Sequence, residues 1–375
     1  MAGSLDSGHV RRFNIHLVLR HLREAEGSTA SELAGATGLS RPSVNGALAE
    51  LERLGWIASA GMSTTDLGGR PARRHRFHAS AGLLLGVDIG VHGVRVVVGD
   101  LSGTLLDERV AGVAPEAMPD ARLAVVDALI DAMVNDPGRV WAMGIAVTGP
   151  VDSSGRTALF SPLPGWAEVD LPQRFGRRFG WPVLVGNDVK VALLAERQWG
   201  VADGVDDVAF VLAGARIGAA ATVGGMLLRG HGGAAGEVGA LPAVRWGRAV
   251  RDLVGNEGAL VPGMDLAFRA AASGERGALA RVERFADDVA TGAAAVTLML
   301  DPEVLVIGGR AAAFAELWVP RFSASLAAQV LRMPEIRIST LGGNHVARGA
   351  LRLAMLDIER RFFGDELVAA RAPRP

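Results

Sequence analysis

Twice along this chain an apolar run is followed, across short glycine-containing turns, by two more. Leu83 to Ile89, Gly93 to Asp100 and Leu105 to Val110 form the first set, separated by Gly90 and by Ser102-Gly103. Val208 to Leu212, Gly218 to Val223 and Met226 to Leu228 form the second, its last pair joined by Gly224-Gly225. Short aliphatic runs between such turn signals read as strands. Further segments follow the first set: a helix over Asp120 to Val134, a strand over Val140 to Val147 and a short helix ending at Gly180. A helix over Arg281 to Leu300, a strand from Val304, a helix over 315–330, a strand from Ile336 and a helix over 345–362 follow the second. The recurrence predicts a duplicated, two-lobed α/β unit with a ligand cleft between the lobes.

Val183 to Gly200 lies at the join of the two halves. It begins as an apolar run, Val183 to Val185, and continues as a helical pattern with Ala192, Leu193 and Trp199 on one side and Lys190, Glu196 and Arg197 elsewhere. Asn187-Asp188 falls at the strand-to-helix junction, where α/β sheets present ligand-binding groups. A carboxamide and a carboxylate there suit a hydroxyl-rich ligand. Either residue is also a good helix N-cap, and the local pattern leaves both uses open.

The first eighty residues differ in character. They hold ten Arg against seven Asp plus Glu, in a chain of formal net charge −1. Asn14 to Glu24 carries Ile15, Val18, Leu19 and Leu22 on one helical stripe. Thr29-Ala30-Ser31-Glu32 is a capping-box pattern. Ser40 caps a third helix with Val44, Ala47, Leu48, Leu51 and Leu54 at helical spacing. Arg41, Ser43 and Asn45 occupy its other face, as residues that reach phosphates or base edges. Trp56-Ile57-Ala58 and His75-Arg76-Phe77 pair as a hairpin whose loop carries Arg70, Arg73 and Arg74. This is the pattern of a winged helix-turn-helix, with palindromic operator DNA as the expected partner.

The 375 residues contain no cysteine, which excludes disulfides, thiolate metal sites and cysteine nucleophiles. No apolar run reaches the roughly 18 residues of a membrane helix, and the opening MAGSLDSGHVRR lacks a signal-peptide core. A cytoplasmic protein without membrane contact is expected.

GLSRPSVNGALAELERLGWI, GVDIG, GIAVTGPVD, LPGW, GNDVKVALLAERQWG, GAAGEVG and DPEVLVIGG occur in this order. Together they resemble the ROK family of repressors, open reading frames and kinases, over residues 10–362. The resemblance is to the repressor branch. It implies a winged helix-turn-helix at 1–80 followed by a two-lobed actin-like, hexokinase-like (ribonuclease H-like) ATPase-type fold. The lobes are expected at 81–200 and 201–344, with the helix over 345–362 returning to the first lobe and 363–375 as a tail. Asn187, Asp188, Glu237 and Asp252 are the implied sugar contacts, Asp188 being the general base in the family's kinases. Asp88 and Gly90 match the first phosphate turn and Gly214 and Gly218 the second.

The chain departs from the pattern at several places. The first turn lacks the family's small polar residues and lysine, and Arg216 stands in the second. Pro162 replaces an asparagine before LPGW, and Ala240 replaces the histidine after GEVG. Val244 to Leu253 replaces a three-cysteine zinc loop, so neither a metal nor another cofactor is expected. The resemblance implies a homodimeric or homotetrameric repressor of carbohydrate genes, without kinase activity, responding to a sugar or sugar derivative. The alternatives are a sugar kinase carrying a DNA-binding domain and a regulator answering to a protein partner.

Overall fold

The computed structural model describes residues 7–62, 71–157, 159–255 and 260–363. Arg70 and nearly all of the tail expected at 363–375 lie outside the described residues.

The amino-terminal unit contains α1 (Ser7–Glu24), β1 (Ser28–Thr29), α2 (Ala30–Thr37), α3 (Arg41–Arg53), β2 (Ile57–Met62) and β3 (Arg73–Phe77). The capping box forms: Thr29 Oγ1 accepts from Glu32 N–H at 3.3 Å, and Glu32 Oε2 accepts from Thr29 N–H at 2.7 Å. Ser40 Oγ accepts from Ser43 N–H at 3.3 Å and starts α3. The α3 stripe of Val44, Ala47, Leu48 and Leu51 is buried with Ile15, Val18, Leu19 and Leu22 of α1. A feature absent from the sequence reading is β1, which pairs antiparallel with β3. Two residues are too few for a periodic signal.

The first lobe contains β4 (Leu83–Ile89), β5 (Gly93–Asp100), β6 (Leu105–Gly112), α4 (Pro119–Met133), β7 (Val140–Val147), α5 (Leu171–Phe179), β8 (Val183–Asn187) and α6 (Asp188–Trp199). Its sheet has the order β6-β5-β4-β7-β8, with β7 and β8 parallel to β4. The second lobe repeats this plan. Its elements are β9 (Val208–Ala213), β10 (Ile217–Val223), β11 (Met226–Leu227), α7 (Trp246–Val254), α8 (Leu260–Ala272), α9 (Arg276–Leu300), β12 (Val304–Gly308), α10 (Ala315–Ala327) and β13 (Glu335–Ile338). The order β11-β10-β9-β12-β13, with β12 and β13 parallel to β9, mirrors the first sheet strand for strand. The chain ends in α11 (His345–Phe363).

Two local expectations change. Val244 to Leu253 is largely the helix α7, because Trp246, Ala249, Val250 and Leu253 recur at helical spacing and are all buried. Trp246 Nε1 donates to the Val289 carbonyl at 3.3 Å, anchoring α7 to α9. The amphipathic reading of α6 also fails, since Lys190 and Glu196 are buried with the apolar residues. This helix packs against α11 and also meets strands of both sheets, so no face is left to water. Its approach to α11 is close: a Cβ on Gly349 would come within 1.9 Å of the Val191 carbonyl oxygen.

The winged helix is fused to the first lobe by packing. Residues of α1, α3, β4, β7 and α11 form one continuous buried cluster. Trp56, fully buried, meets Trp141 of β7 edge-on at a centroid distance of 5.1 Å. Arg23 of α1 reaches Glu359 of α11 at 2.6 Å, and Arg352 reaches the other oxygen at 3.1 Å. Burial alone would raise the Glu359 carboxyl, but Arg352 and Arg23 overcome it and hold it down to about 2.

Candidate functional site

Because β4, β7 and β8 are parallel, their carboxyl ends open on one side of the first sheet. Asp88 stands near the end of β4, Thr148 follows β7, and Asn187 ends β8. The N-cap of α6 is Asn187, whose Oδ1 accepts from Lys190 N–H at 3.1 Å. Its Nδ2 donates to the Gly149 carbonyl at 3.0 Å and to Asp188 Oδ1 at 2.9 Å. With both amide hydrogens engaged, Asn187 fixes the orientation of Asp188 and keeps little capacity for a ligand. Asp188 Oδ1 accepts in addition from Val189 N–H at 2.8 Å.

The second lobe brings Glu237 to the same place on a glycine-rich loop. Gly236, at φ 89°, lies so close to β10 that a Cβ would fall 2.4 Å from the Ala219 carbonyl oxygen. Lys190, the only lysine in the chain, ties this loop to α6. Its Nζ donates to the Gly233 carbonyl, and to the Arg229 carbonyl at 3.5 Å. Burial lowers its pKa, and Glu237 and Asp188 oppose that shift.

The three cleft carboxyls are driven toward the neutral form. Burial and then the charge of Asp188 raise Asp88 to about 7, against Arg95. Asp188 is raised by burial, against the Thr148 hydroxyl, Val189 N–H, Arg216 and Asn187. Glu237 is raised by burial and by Asp188, against Lys190 and Arg216. Asn187, Asp188 and Glu237 are therefore brought together, with Asp88 beside them. Asp252 is held at 3.2 Å by Arg245, and is not among the charges acting on Asp188, Glu237 or Lys190.

The glycines matched to phosphate turns have other partners here. Gly90 N–H donates to the Gly93 carbonyl at 2.9 Å. The Gly90 carbonyl accepts from Arg122 Nη1 at 2.6 Å, and the same atom reaches the Val91 carbonyl at 3.1 Å. Gly214 N–H closes on the Arg216 carbonyl at 3.0 Å. A Cβ on Gly218 would meet Val189 Cγ2 at 2.7 Å, so the β9–β10 hairpin sits against the first turn of α6. Sequence reasoning missed Arg122, which is fully buried on carbonyls although nothing in its neighbours distinguishes it from a surface helix arginine. It also missed the bridge made by Lys190, for which the chain's single lysine was a usable signal.

On the winged helix, Arg41 and Asn45 are exposed at the start of α3 and carry no side-chain bond among the described residues. Ser43 Oγ lies 2.9 Å from Ser40 Oγ. Arg73 pairs with Glu52 at 2.9 Å, while Arg74 reaches Glu32 at 3.4 Å and donates to the Gly27 carbonyl. These two arginines, expected in the hairpin loop, lie instead in β3, because that strand pairs with β1 at Arg74 and with β2 at Arg73, and they are partly engaged within the unit. Among the described residues no helix is long and apolar enough to cross a membrane, and no three His, Asp or Glu group in a way that could hold a metal ion.

A winged helix-turn-helix fused to a duplicated, actin-like fold with an acidic, amide-lined cleft defines a narrow class of proteins. The sequence pattern of the ROK family matches residues 84–248 and 243–356, and that of the MarR family matches residues 16–62. The chain belongs to the ROK family. It is 26% identical over 237 residues to a xylose repressor of Bacillus subtilis, an alignment covering 62% of this chain and 61% of the relative's length. The fold is shared with a ROK family transcriptional regulator, a homologue of the E. coli MLC protein. The TM-score is 0.74 at 19% identity, over 96% of this chain and 98% of that one. A ROK family glucokinase from Streptomyces griseus, solved with glucose and AMPPNP, superposes with a TM-score of 0.62 at 25% identity, over 73% of this chain and 99% of that one.

Proposed function

We propose that this protein is a DNA-binding transcriptional repressor of carbohydrate genes whose operator affinity is set by a sugar or sugar derivative in the interlobe cleft. One observation carries the proposal: packing is continuous from the cleft to the winged helix. Asn187 and Asp188 begin α6, α6 lies on α11, and α11 holds α1 through Glu359. A ligand that closes the lobes on α6 therefore acts on an element already joined to the DNA-binding unit. The kinship with a xylose repressor supports the same reading.

In a homodimer, two α3 helices would read half-sites of a palindromic operator about one helical turn apart. Arg41, Ser43 and Asn45 would face the bases, and Arg70, Arg73 and Arg74 would follow the backbone. A near-complete switch requires the effector to favour one state by about 5 kcal/mol. Asp188 and Glu237 would bind sugar hydroxyls while Asn187 orients Asp188. The test is selection of genomic fragments retained by the full-length chain, followed by release with a panel of sugars. Retention of specific fragments and release by a carbohydrate are expected. Failure to retain any sequence preferentially would refute the repressor.

A sugar kinase is the second reading, favoured by Asp188, a carboxyl oriented by Asn187 with its pKa raised as a general base requires. Arg216 in the second turn opposes it, as does Arg122 on the carbonyls of the first. Sugar-dependent ATP hydrolysis that disappears in Asp188→Ala would establish the kinase instead.

A further inference from the structure

Two charged residues of α6 are buried, Lys190 in its first turn and Glu196 toward its end. Each fastens one lobe to the other, at a different end of the helix. The chain crosses between the lobes twice, from α6 to β9 and from β13 to α11. Glu196 holds both crossings. Its Oε2 accepts from Val201 N–H at 3.2 Å on the outward crossing, and its Oε1 accepts from the Ser339 hydroxyl on the return. Its carbonyl accepts from Gly200 N–H at 3.1 Å and from Ala202 N–H at 3.2 Å. A Cβ on Gly200 would fall 2.1 Å from Oε2, so backbone closes over the carboxyl. Arg337 Nη1 donates to the Val201 carbonyl at 2.8 Å and joins the same two crossings.

At the other end Lys190 holds the glycine-rich loop of the second lobe, through the carbonyls of Gly233 and Arg229. Gly233, at φ 80°, lies against Val151 of the first lobe, where a Cβ would come within 2.1 Å of the carbonyl oxygen. Val151, Asn187, Lys190 and Arg229 line one narrow cavity, so this contact adjoins the cleft amide. Asn187 is buried and Asp188 partly so, and a ligand gains full access to them only when the loop lifts. The two attachments differ in kind. Glu196 grips the crossings themselves, where a few residues absorb the rotation of one lobe on the other. Lys190 grips carbonyls 39 and 43 positions along the chain, and its ammonium, bonded only to carbonyls, regains hydration when it lets go. We propose that Glu196 fixes the hinge of the two lobes, and that Lys190 is the latch that holds the cleft shut until an entering ligand displaces the glycine-rich loop. The device needs no particular ligand and stands apart from the sugar-sensor reading.

The test is a spin-label distance measurement on the full-length chain. The chain contains no cysteine, so Ala128→Cys on α4 and Ala324→Cys on α10, both exposed, place one label on each lobe. Labelled chain is diluted into excess unlabelled chain, so that only distances within one chain are read. Without added ligand the otherwise unchanged chain should give one narrow distance. Lys190→Met should raise the population at a second, displaced distance about five-fold. Gly233→Ala, which forces the loop off Val151 while leaving Lys190 in place, should populate the same distance. Lys190→Arg should suppress it in part. Glu196→Gln, which keeps one acceptor oxygen of two, should widen the distribution about two-fold, and Ser339→Ala should widen it less. A loss of local packing alone would leave the interlobe distance where it was. Distances unchanged in Lys190→Met and Gly233→Ala would overturn the latch, and Gly233→Ala decides if Lys190→Met does not fold. A width unchanged in Glu196→Gln would overturn the hinge, and Ser339→Ala decides if Glu196→Gln does not fold. No sugar or DNA enters the measurement, so either result leaves the repressor reading to its own test.

Discussion

Glu359 and Asp188 are both carboxyls removed from water, and the molecule drives them in opposite directions. Glu359, at the joint between α1 and α11, is clasped by Arg352 and Arg23 and stays ionised far into acid. Asp188, in the cleft, is raised by burial because hydrogen bonds and the charge of Arg216 only partly offset the loss of hydration. The cation count is similar at the two places, but the geometry is not. At the joint every charge has a partner at hydrogen-bond distance. In the cleft Arg216 remains unpaired. A region whose electrostatics are internally closed holds an orientation, and a region left open can respond to a ligand.

The largest expected effect is at the joint. Glu359→Gln leaves two partly buried guanidinium groups facing a neutral amide, and should destabilise the protein by about 3 kcal/mol in chemical denaturation. A carboxyl moved from an ordinary 4.5 to about 2 contributes an amount of the same order, about 3 kcal/mol. Since the folded value is depressed, that contribution is present above pH ~4.5 and is lost as the pH falls toward 2. Wild type and variant should therefore converge in stability in strong acid. A variant as stable as wild type at pH 7 would show that the joint is not held by this cluster.

Gly349→Ala comes next, at about 2 kcal/mol, because the new methyl meets the Val191 carbonyl and must push α6 from α11. If these helices carry the signal, operator binding in this variant should lose its response to effector even where the fold survives. Response retained at wild-type strength would break the proposed path.

The cleft should behave oppositely to the joint. Asp88 is raised from 3.8 to about 7, so its ionisation opposes folding as the pH climbs between those values. Asp88→Asn should stabilise the protein at pH 8, and much less at pH 4. Equal melting shifts at both pH values would mean that Asp88 is hydrated as an ordinary carboxylate. The smallest expected effect is that of Arg41→Ala, with no change in melting temperature, about ten-fold weaker operator binding and a salt dependence reduced by about one unit if Arg41 contacts phosphate.

Much of the architecture is legible in the chain because its signals are local. Both three-strand sets, the Thr29-Glu32 capping box, the Ser40 cap and the α3 stripe depend on residues within a few positions of one another. The misreadings have a common cause. Lys190 and Glu196 look like the polar side of a surface helix, and only the packing of α6 between lobes and α11 places them inside. In α7 a helix with one buried face stands where the family resemblance suggested a loop, because Trp246 enters the core beside α9.

The candidate site divides the same way. Asn187, Asp188 and Glu237 could be named from their motifs, and the sequence alone placed the first two at a strand-to-helix junction. Only the tertiary structure decided that Asn187 is the cap and Asp188 the group it orients. It alone buried Arg122 beneath the first turn and left Arg216 unpaired above the second. The physical reason is range. Caps, turns and helical stripes are determined by neighbours along the chain. Desolvation and ion pairing are determined by neighbours in space, and Arg23 and Glu359, 336 positions apart, are brought together only by the completed fold.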